Sequence, residues 1–564
     1  MGRCAIIEVT RQLFFRTTIK ERRFYYEARI KIRRKEVREH LEQLNLACEL
    51  AKLIRHFFPD LLPLLKQIPD PRNQSYITYP AVLLLMTRIL SSLFYISSMR
   101  KTSEEFNSSE MIKNIWHLSG EEQTVEELPY WETINRYLEK VDPEKLQDIL
   151  NRLCSRLLCS RAFENMRIRG KYWQVIIDGT QLCSSRRELD GKSLHRTHNK
   201  GTEKEYQENY YYVLEAKLVL HPKILISIQT EFVDNEEGKE MEKQDCERKA
   251  CWRLMEKLKK AFPRLPICLC GDSLYACEGF FERCKGKNWR YILRYKEGSI
   301  PSIGEEYREL KEMEKNYQER ETQTGKEWYD YVTDIDYKGH QVNLAEYGES
   351  GEHICKKGRK KGKAETIRKE FWFLTDLPIT RKNVAGLVER GRMRWRIEND
   401  GFNAQKRQGY HLEHQYSRNY QALKNHYYLI QIGHMISQIM EAWEKIWKKV
   451  KQSREQKHRR ILESMKETPL REYKEDVPAV DFFYIQFFLL ACCGISPDIF
   501  RAVLFDHRYD ICSYPLERSQ LGWTGKPCVK QDIIEWYPCF VCLLYHMLDN
   551  KGSLCFCHCP ALSA

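Results

Sequence analysis

At residue 173 the hydrophobic pattern of the chain changes from a helical repeat to a short, nearly continuous apolar run, WQVIID (173–178). A run of this kind is typical of a strand that is buried on both faces of its sheet. It ends in a carboxylate, Asp178, so an acidic side chain stands at the end of an interior strand. We therefore expect a sheet that is covered by helices on its faces.

Strand and helix patterns alternate after this run. Two strand-like runs, 209–220 and 223–233, are separated by only two residues, which favours a tight connection. The following segments are a long amphipathic helix at 239–262, a strand at 266–270, a short helix at about 276–286 and a strand at 289–295. This order predicts an α/β fold with a mixed sheet flanked by helices.

The segments on either side of this sheet differ in pattern. Before it, the chain is helical from about 40 to 165, and Asp142 with Pro143 marks the start of a helix whose apolar stripe predicts packing in an all-α domain. After it, strand-like pieces between about 300 and 375 predict a β-rich insertion. The insertion includes a strongly basic loop, KKGRKKGK (356–363).

The composition of the chain indicates a polyanionic partner. A net charge of +14 arises from 93 Lys and Arg against 79 Asp and Glu, and such an excess favours nucleic acid. The apolar run at 480–495 is short for a membrane span, and no secretory signal is apparent. We expect a protein of the reducing cytoplasm, without membrane association, whose 21 Cys are mostly free thiols.

Three acidic residues stand out by position, because Asp178 ends the first strand, Asp272 follows the fourth and Glu398 lies on a later helix. If the first and fourth strands are neighbours, the two Asp residues meet, and a helix across that edge adds Glu398. Buried carboxylates repel each other unless cations offset their charge. Mg²⁺ suits such a set of oxygen ligands, although an Asp after a strand is often only a turn or helix cap.

Two interpretations remain open for Glu398 in GRMRWRIEND (391–400). On a helix it faces Arg394, and a surface ion pair between them would contribute a few tenths of a kcal/mol, roughly. Alternatively, Glu398 binds metal and the surrounding arginines hold phosphates. Two ions about 4 Å apart would activate a water or a 3′-hydroxyl and stabilise the leaving oxygen of a phosphodiester, which is the chemistry of nucleases and polynucleotidyl transferases.

The order of elements and the three acids resemble the RNase H-like catalytic domain of DDE transposases. RWRIE (394–398) resembles the signature of the cut-and-paste bacterial insertion-sequence group, which has a Tyr, an Arg three residues later, a Glu four after that and a Lys seven further on. Arg394 and Glu398 match this signature. Gly391 stands at the Tyr position and Gln405, with Lys406 next to it, at the Lys position, so the sequence departs from the signature there.

The resemblance covers about residues 60–445, and further stretches also resemble these transposases: DGTQL (178–182), TEFVDNE (230–236), GDSLYA (271–276) and IENDGFNAQKRQGYHLEH (397–414). It implies an α/β catalytic domain with an RNase H-like mixed sheet and a β-rich insertion, preceded by an all-α domain. The expected division is a basic N-terminal segment (1–58), a helical DNA-binding domain (59–165), the catalytic domain (166–445), a basic helical segment (446–475) and a Cys-rich tail (476–564).

The resemblance also assigns roles to side chains. It implies that Asp178, Asp272 and Glu398 are the catalytic ligands of two Mg²⁺ ions, for which Mn²⁺ can substitute. It further implies that Arg394 contacts a DNA phosphate near the cleaved end. Additional phosphate contacts are expected from four cations, each of which could instead be a solvated charge: Arg392, Arg396, Lys406 and Arg407.

The function implied is that of an insertion-sequence transposase in the bacterial cytoplasm, associated with the nucleoid, which binds terminal inverted repeats of double-stranded DNA as a homodimer and transposes by cut and paste. The alternative is a remnant that binds DNA without catalysis, although all three acids are present. An RNA nuclease on the same fold is less favoured, because it needs neither the insertion nor the basic N-terminal region. Trp328 or Trp372 either stacks on a flipped base or packs within the sheet.

The tail from about 476 has a composition unlike the rest of the chain, with nine Cys in the last 73 residues. Cys539 and Cys542 form a CxxC pair ahead of CFCHC (555–559), and together these residues could bind zinc. A frameshifted or read-through extension and an oligomerisation module are the other two hypotheses.

Overall fold

The computed structural model describes residues 45–189, 192–234, 243–322, 325–354, 364–442 and 453–470. Three features of the sequence therefore lie outside the described residues: the basic N-terminal segment up to residue 44, the loop KKGRKKGK and the Cys-rich tail with its zinc hypothesis. No helix in the described ranges is long and apolar enough to cross a membrane.

Helices make up the described chain before the sheet: α1 (Leu46–Phe57), α2 (Leu61–Lys66), α3 (Ala81–Leu93), α4 (Met99–Glu105), α5 (Ser109–Leu118), α6 (Trp131–Leu138) and α7 (Pro143–Cys159). The start of α7 is as predicted, because the Asp142 side chain accepts a hydrogen bond from the Glu144 amide. The predicted apolar stripe of α7 is buried. These helices share a hydrophobic core with the sheet, so the boundary at 165/166 stays a prediction.

The strands form one mixed sheet, which within the described residues has ten members: β1 (Trp173–Ser185), β2 (Leu194–His198), β3 (Tyr206–His221), β4 (Ile224–Val233), β5 (Ile267–Gly271), β6 (Arg290–Tyr295), β7 (Gln318–Thr322), β8 (Gly325–Tyr337), β9 (His340–Ile354) and β10 (Ala364–Thr375). Their order is β2-β3-β1-β5-β6-β10-β9-β8-β7, and β4 also pairs with β3. The predicted α/β class and RNase H-like mixed sheet are confirmed.

The first and fourth predicted strands are parallel neighbours, as β1 pairs with β5 through Val175 and Leu269. β1 is longer than the predicted run, because the polar residues after Asp178 continue to pair with β3 as far as Ser185. The short strand β2 was not predicted, since its sequence LHRTH has no apolar alternation.

Helices cover both faces of this sheet and connect its parts: α8 (Lys243–Ala261), α9 (Glu278–Gly286), α10 (Pro301–Glu314), α11 (Val384–Arg392), α12 (Ala404–Arg407), α13 (Tyr420–Ala442) and α14 (Arg454–Glu467). On one face Val175 and Ile177 share a core with Leu254 of α8. On the other, Ile176 packs in a cluster with Val388 of α11. The central strands are therefore buried on both sides, as their apolar runs predict.

The insertion begins with a helix, α10, before its strands β7 to β10. Its last strand, β10, pairs with β6 through Trp372 and Tyr295, so the insertion extends the main sheet instead of forming a separate one. The helical region that follows Glu398 is interrupted between α12 and α13. There Gly409 has a φ of +114° and packs against the Tyr95 ring, which no residue with a side chain could do without strain.

Candidate active site

Asp178 and Asp272 lie at neighbouring positions of the sheet and line the same cavity, which has a volume of about 860 Å³. Asp178 belongs to β1 and Asp272 follows directly on the parallel strand β5. The parallel pairing of these strands ends at Ile176 and Cys270, two residues before each aspartate, and ligands of open α/β sheets bind beyond such ends. The structure therefore brings two of the three predicted acids together.

Asp178 is held by two partners within its half-buried position. Its Oδ1 accepts a hydrogen bond of 2.9 Å from the Gly179 amide, and its Oδ2 lies 3.4 Å from Nη1 of Arg394. Burial raises the pKa of Asp178 to about 7, while Arg394 and the Gly179 amide act in the opposite direction. The charges of Asp272 and Glu247 raise the Asp178 pKa further, so the carboxylate form is costly unless a cation is close.

Asp272 caps a turn, which is one of the two roles that the sequence left open for it. Its Oδ1 accepts a hydrogen bond of 2.8 Å from the Leu274 amide and caps the short 3₁₀ turn Ser273–Tyr275. The same side chain lines the cavity with Asp178. Because a carboxylate offers two oxygens and about four lone-pair positions, a cap of this kind leaves capacity for a further ligand.

Glu398 is not part of this cavity. It lies on a π-helical turn, Ile397–Asn403, and its side chain is exposed. Among the described residues, no group of three or more His, Cys, Asp or Glu side chains could hold a metal ion. The ion pair of Arg394 is formed with Asp178, so the local pair that the sequence offered for Glu398 is replaced by a contact across 216 positions of the chain.

The chemistry of the two aspartates fits Mg²⁺. They supply hard oxygen donors in one cavity, and Mg²⁺ is commonly bound through one or two carboxylates together with substrate phosphates and water. Burial raises the pKa of Asp178, and a nearby cation would stabilise its carboxylate form. Asp178 and Asp272 are therefore the two residues that would hold such an ion in this cavity, and the role of Glu398 stays a prediction.

The cationic residues predicted to contact DNA differ in the hydrogen bonds and ion pairs that they form within the protein. Arg392 donates to the Tyr347 hydroxyl at 2.7 Å and lies 3.2 Å from Glu349. Arg394 stacks on the Trp395 ring in addition to its pair with Asp178. Arg392 therefore contacts β9, whereas Arg394 contacts β1 at Asp178, which lines the cavity.

Of the other three cations, Arg396 directly precedes the π-helical turn, and Lys406 and Arg407 lie on α12. Arg396 is mostly buried and donates to Asp400 and to the His221 carbonyl, at 2.8 and 3.1 Å. Lys406 pairs with Glu413 at 3.0 Å. Arg407 is exposed. Of this group, Arg407 presents its charge most openly to solvent, and all five stay predictions as DNA contacts.

The two departures from the transposase signature have structural reasons. A Cβ atom at Gly391 would overlap the ring of Phe373, so the helix α11 could not accept a Tyr at this position without moving away from β10. Gln405 is fully buried and donates to Gln431 and His434 of α13, at 2.7 and 2.8 Å. Neither position therefore presents a side chain for DNA.

Both tryptophans of the insertion pack against neighbours. Trp372 stacks on Tyr295 with a centroid distance of 6.0 Å, and Arg368 lies 4.9 Å above the Trp328 ring. The exposed aromatic beside the site is instead Trp395, which is 47% exposed. It stands inside the signature next to Arg394, and sequence reasoning did not single it out.

Two further charged residues at the site were also missed. Glu247 of α8 is 8% exposed and lines the cavity with the two aspartates. Its position three and seven residues before Ala250 and Leu254 places a carboxylate on the apolar stripe of the helix, a signal that could have identified it. Arg294 of β6 lies near Arg394, and burial together with the Arg394 charge lowers the pKa of Arg294 to about 10.

Comparisons with known proteins indicate the family of the chain. Residues 172–436 match the transposase DDE domain family. A cryo-EM structure of the piggyBac transposase synaptic complex with hairpin DNA is similar, with 9% sequence identity, a TM-score of 0.34, and coverage of 77% of this chain and 83% of that chain. No curated protein sequence matches the chain.

Proposed function

Because this chain belongs to the DDE transposase family through residues 172–436, we propose that it is the transposase of a bacterial insertion sequence. DDE transposases are polynucleotidyl transferases and endonucleases. In this proposal the protein acts in the cytoplasm on nucleoid DNA, binds the terminal inverted repeats of its element as a homodimer, and transposes by cut and paste.

One observation supports this proposal above all others: Asp178 and Asp272 line one cavity just beyond the point where the parallel pairing of β1 with β5 ends, next to Arg394. Two carboxylates and a guanidinium at one edge suit a phosphodiester, since the acids hold divalent cations and the guanidinium pairs with a phosphate oxygen. Bound Mg²⁺, or Mn²⁺ in its place, would supply activation of the attacking hydroxyl and stabilisation of the leaving oxygen.

The residues of the chain have separate tasks in the proposed reaction. Asp178 and Asp272 would hold the cations, and Glu398 would be the third ligand. Arg394 positions the scissile phosphate. In the first step a water oxygen bonds to phosphorus and the bond to the 3′ oxygen breaks, which releases a 3′-hydroxyl. In the second step that hydroxyl attacks a phosphate of the target DNA and displaces another 3′ oxygen.

Excision in cells tests the proposal. The gene is supplied beside its native flanking DNA, and an Asp272→Asn variant is expressed in parallel. Excision by the natural protein alone is the expected result, and sequencing of the repaired donor site then locates the ends of the element. Absence of excision from both, combined with binding of the natural protein to those flanks, would instead indicate a remnant that only binds DNA.

A further inference from the structure

Each of the two cavity aspartates is next to a glycine in the chain, and each glycine packs against a tyrosine ring. A Cβ atom at Gly179, after Asp178, would overlap the hydroxyl of Tyr212. A Cβ atom at Gly271, before Asp272, would lie 2.6 Å from Cδ2 of Tyr275, closer than real side chains approach. The position of each aspartate backbone is therefore set by contact with a phenol ring, and only glycine permits that contact.

Both phenols donate to the same carboxylate. The Tyr212 hydroxyl donates to Oε2 of Glu247 and the Tyr275 hydroxyl to Oε1, each at 2.9 Å. Tyr212 is 5% exposed and Tyr275 1%, so both phenol rings are buried. One carboxylate on α8 thus joins β3 to the turn after β5, and through the two rings it joins the backbones beside Asp178 and Asp272.

We propose that Glu247, through Tyr212 and Tyr275, is a positioning residue that fixes the spacing of Asp178 and Asp272. The inference deepens the proposed function, on which it rests. The two tyrosines and Glu247 form a bridge behind the aspartates, and the bridge acts by holding the backbone at Gly179 and Gly271. Glu247 itself does not touch the reacting atoms.

The burial of Glu247 supports a role of this kind. A carboxylate on the apolar stripe of a helix is unfavourable compared with an aliphatic residue of similar size, because it loses its hydration. Here both oxygens accept hydrogen bonds from phenols, and these bonds come from the two residues that touch the glycines. If position 247 were needed only for packing, a leucine there would fill the same space beside Ala250 and Leu254.

Four variants of the full-length protein separate geometry from charge. Tyr212→Phe and Tyr275→Phe each remove one hydroxyl and keep the ring. Glu247→Ala removes the whole bridge, whereas Glu247→Gln removes the charge but can still accept from one phenol and donate to the other. The matched control is Tyr307→Phe, because the Tyr307 hydroxyl makes the same kind of buried bond, 2.8 Å to Glu346, away from the cavity.

Three measurements are made on each variant: the single-turnover rate of end cleavage at saturating DNA, the Kd for the DNA ends, and the affinity for Mn²⁺ alone by electron paramagnetic resonance. For Tyr212→Phe, Tyr275→Phe and Glu247→Ala we expect the cleavage rate and the Mn²⁺ affinity to fall about 10- to 100-fold, the usual effect of removing a residue that orients metal ligands. The Kd for DNA should not change. Glu247→Gln should retain most of the rate, and Tyr307→Phe should resemble the natural protein.

Two outcomes would overturn the inference. One is that the phenylalanine variants at 212 and 275 match Tyr307→Phe in both rate and Mn²⁺ affinity. The other is that Glu247→Gln is as impaired as Glu247→Ala, since the charge and not the geometry would then matter. If the natural protein fails to cleave DNA, the proposed function fails, whereas the Mn²⁺ affinities still decide whether the bridge orders the aspartates.

Discussion

The guanidinium of Arg394 lies 3.4 Å from a carboxylate oxygen of Asp178 and forms an ion pair with it. The pair joins the signature after the insertion to the first strand of the sheet. In the protein without DNA, the arginine that the family resemblance assigns to a phosphate therefore has a carboxylate partner, and it lowers the pKa of that carboxyl against the effect of burial.

Replacement of Arg394 by alanine should shift metal binding to higher pH. Without the guanidinium the pKa of Asp178 rises above its value of about 7, and the carboxyl must lose its proton before it binds a metal ion. Mn²⁺ affinity measured from pH 6 to 9 should therefore reach half of its maximum at a higher pH. Arg394→Lys, which keeps the charge, is the control, and an unchanged midpoint in Arg394→Ala would contradict the prediction.

Asp178→Asn should stabilise the metal-free protein at alkaline pH. The pKa of Asp178 is about 7 in the folded state and roughly 3.9 in an unfolded chain, so the folded carboxyl retains a proton that the unfolded one has lost. The stability contribution of Asp178 therefore falls as pH rises from about 4 to 7, and the full penalty is present above that range. We expect a gain on the order of 2 kcal/mol at pH 8 from urea unfolding, and a smaller gain at pH 5.

A gain of the same size at both pH values would show that ionisation of Asp178 is not the cause. Asp272→Asn serves as the comparison, since it removes a second carboxylate from the same cavity.

Variants of the three predicted ligands should differ in their effect on metal affinity but not in their effect on cleavage. Asp178 and Asp272 line the cavity whereas Glu398 is exposed outside it. In the absence of DNA, Asp178→Asn and Asp272→Asn should lower Mn²⁺ affinity at least about tenfold, while Glu398→Gln should leave it almost unchanged. All three variants should lose cleavage. Equal losses of Mn²⁺ affinity would mean that Glu398 is already a ligand without DNA.

Two glycines of α11 provide a test of the packing against β10. A methyl group at Gly391 would overlap the Phe373 ring, whereas at Gly386 it would meet no atom within 4 Å. Gly391→Ala should therefore destabilise the protein by about 1–3 kcal/mol, and Gly386→Ala should stabilise it by up to about 1 kcal/mol. Thermal unfolding of the pair measures the difference, and equal effects would contradict the observed contact.

Arg396 and Arg407 should affect different properties, although both stand in the signature region. Arg396→Ala removes hydrogen bonds to Asp400 and to the His221 carbonyl, so we expect loss of stability of about 1–2 kcal/mol. Arg407→Ala should keep stability but weaken DNA binding and reduce the slope of log K against log salt by about 1. Binding titrations at several salt concentrations, with melting curves, distinguish the two.

Strong local patterns in the sequence were sufficient to predict the central sheet. The apolar run before Asp178 and the capped helix that begins at Pro143 are both present as predicted. β2 was not predicted because its sequence lacks apolar alternation. α10 was not predicted because its residues were assigned to a strand-rich segment. Patterns that depend on side chains from distant elements, such as the pair of Arg394 with Asp178, have no periodicity to reveal them.

The candidate site could be predicted only in part for the same reason. Asp178 and Asp272 were singled out because each stands at the end of an apolar run, although β1 continues past Asp178 to Ser185. The face of Glu398 was inferred from the α-helical repeat, but the chain there forms a π-helical turn, which has a different number of residues per turn. Glu247 lies on α8, before β5 in the chain. Its side chain reaches the cavity through the packing of α8 on β3, which the sequence does not reveal.

The pairing of β10 with β6 determines what remains if the chain is shortened. Removal of the segment from about 300 to 375 would leave β6 with an unpaired row of backbone amides and carbonyls along one side. An open strand edge of this kind pairs readily with another chain. A shortened protein that lacks the insertion should therefore self-associate, and a soluble core would need a polar or charged cover for that edge.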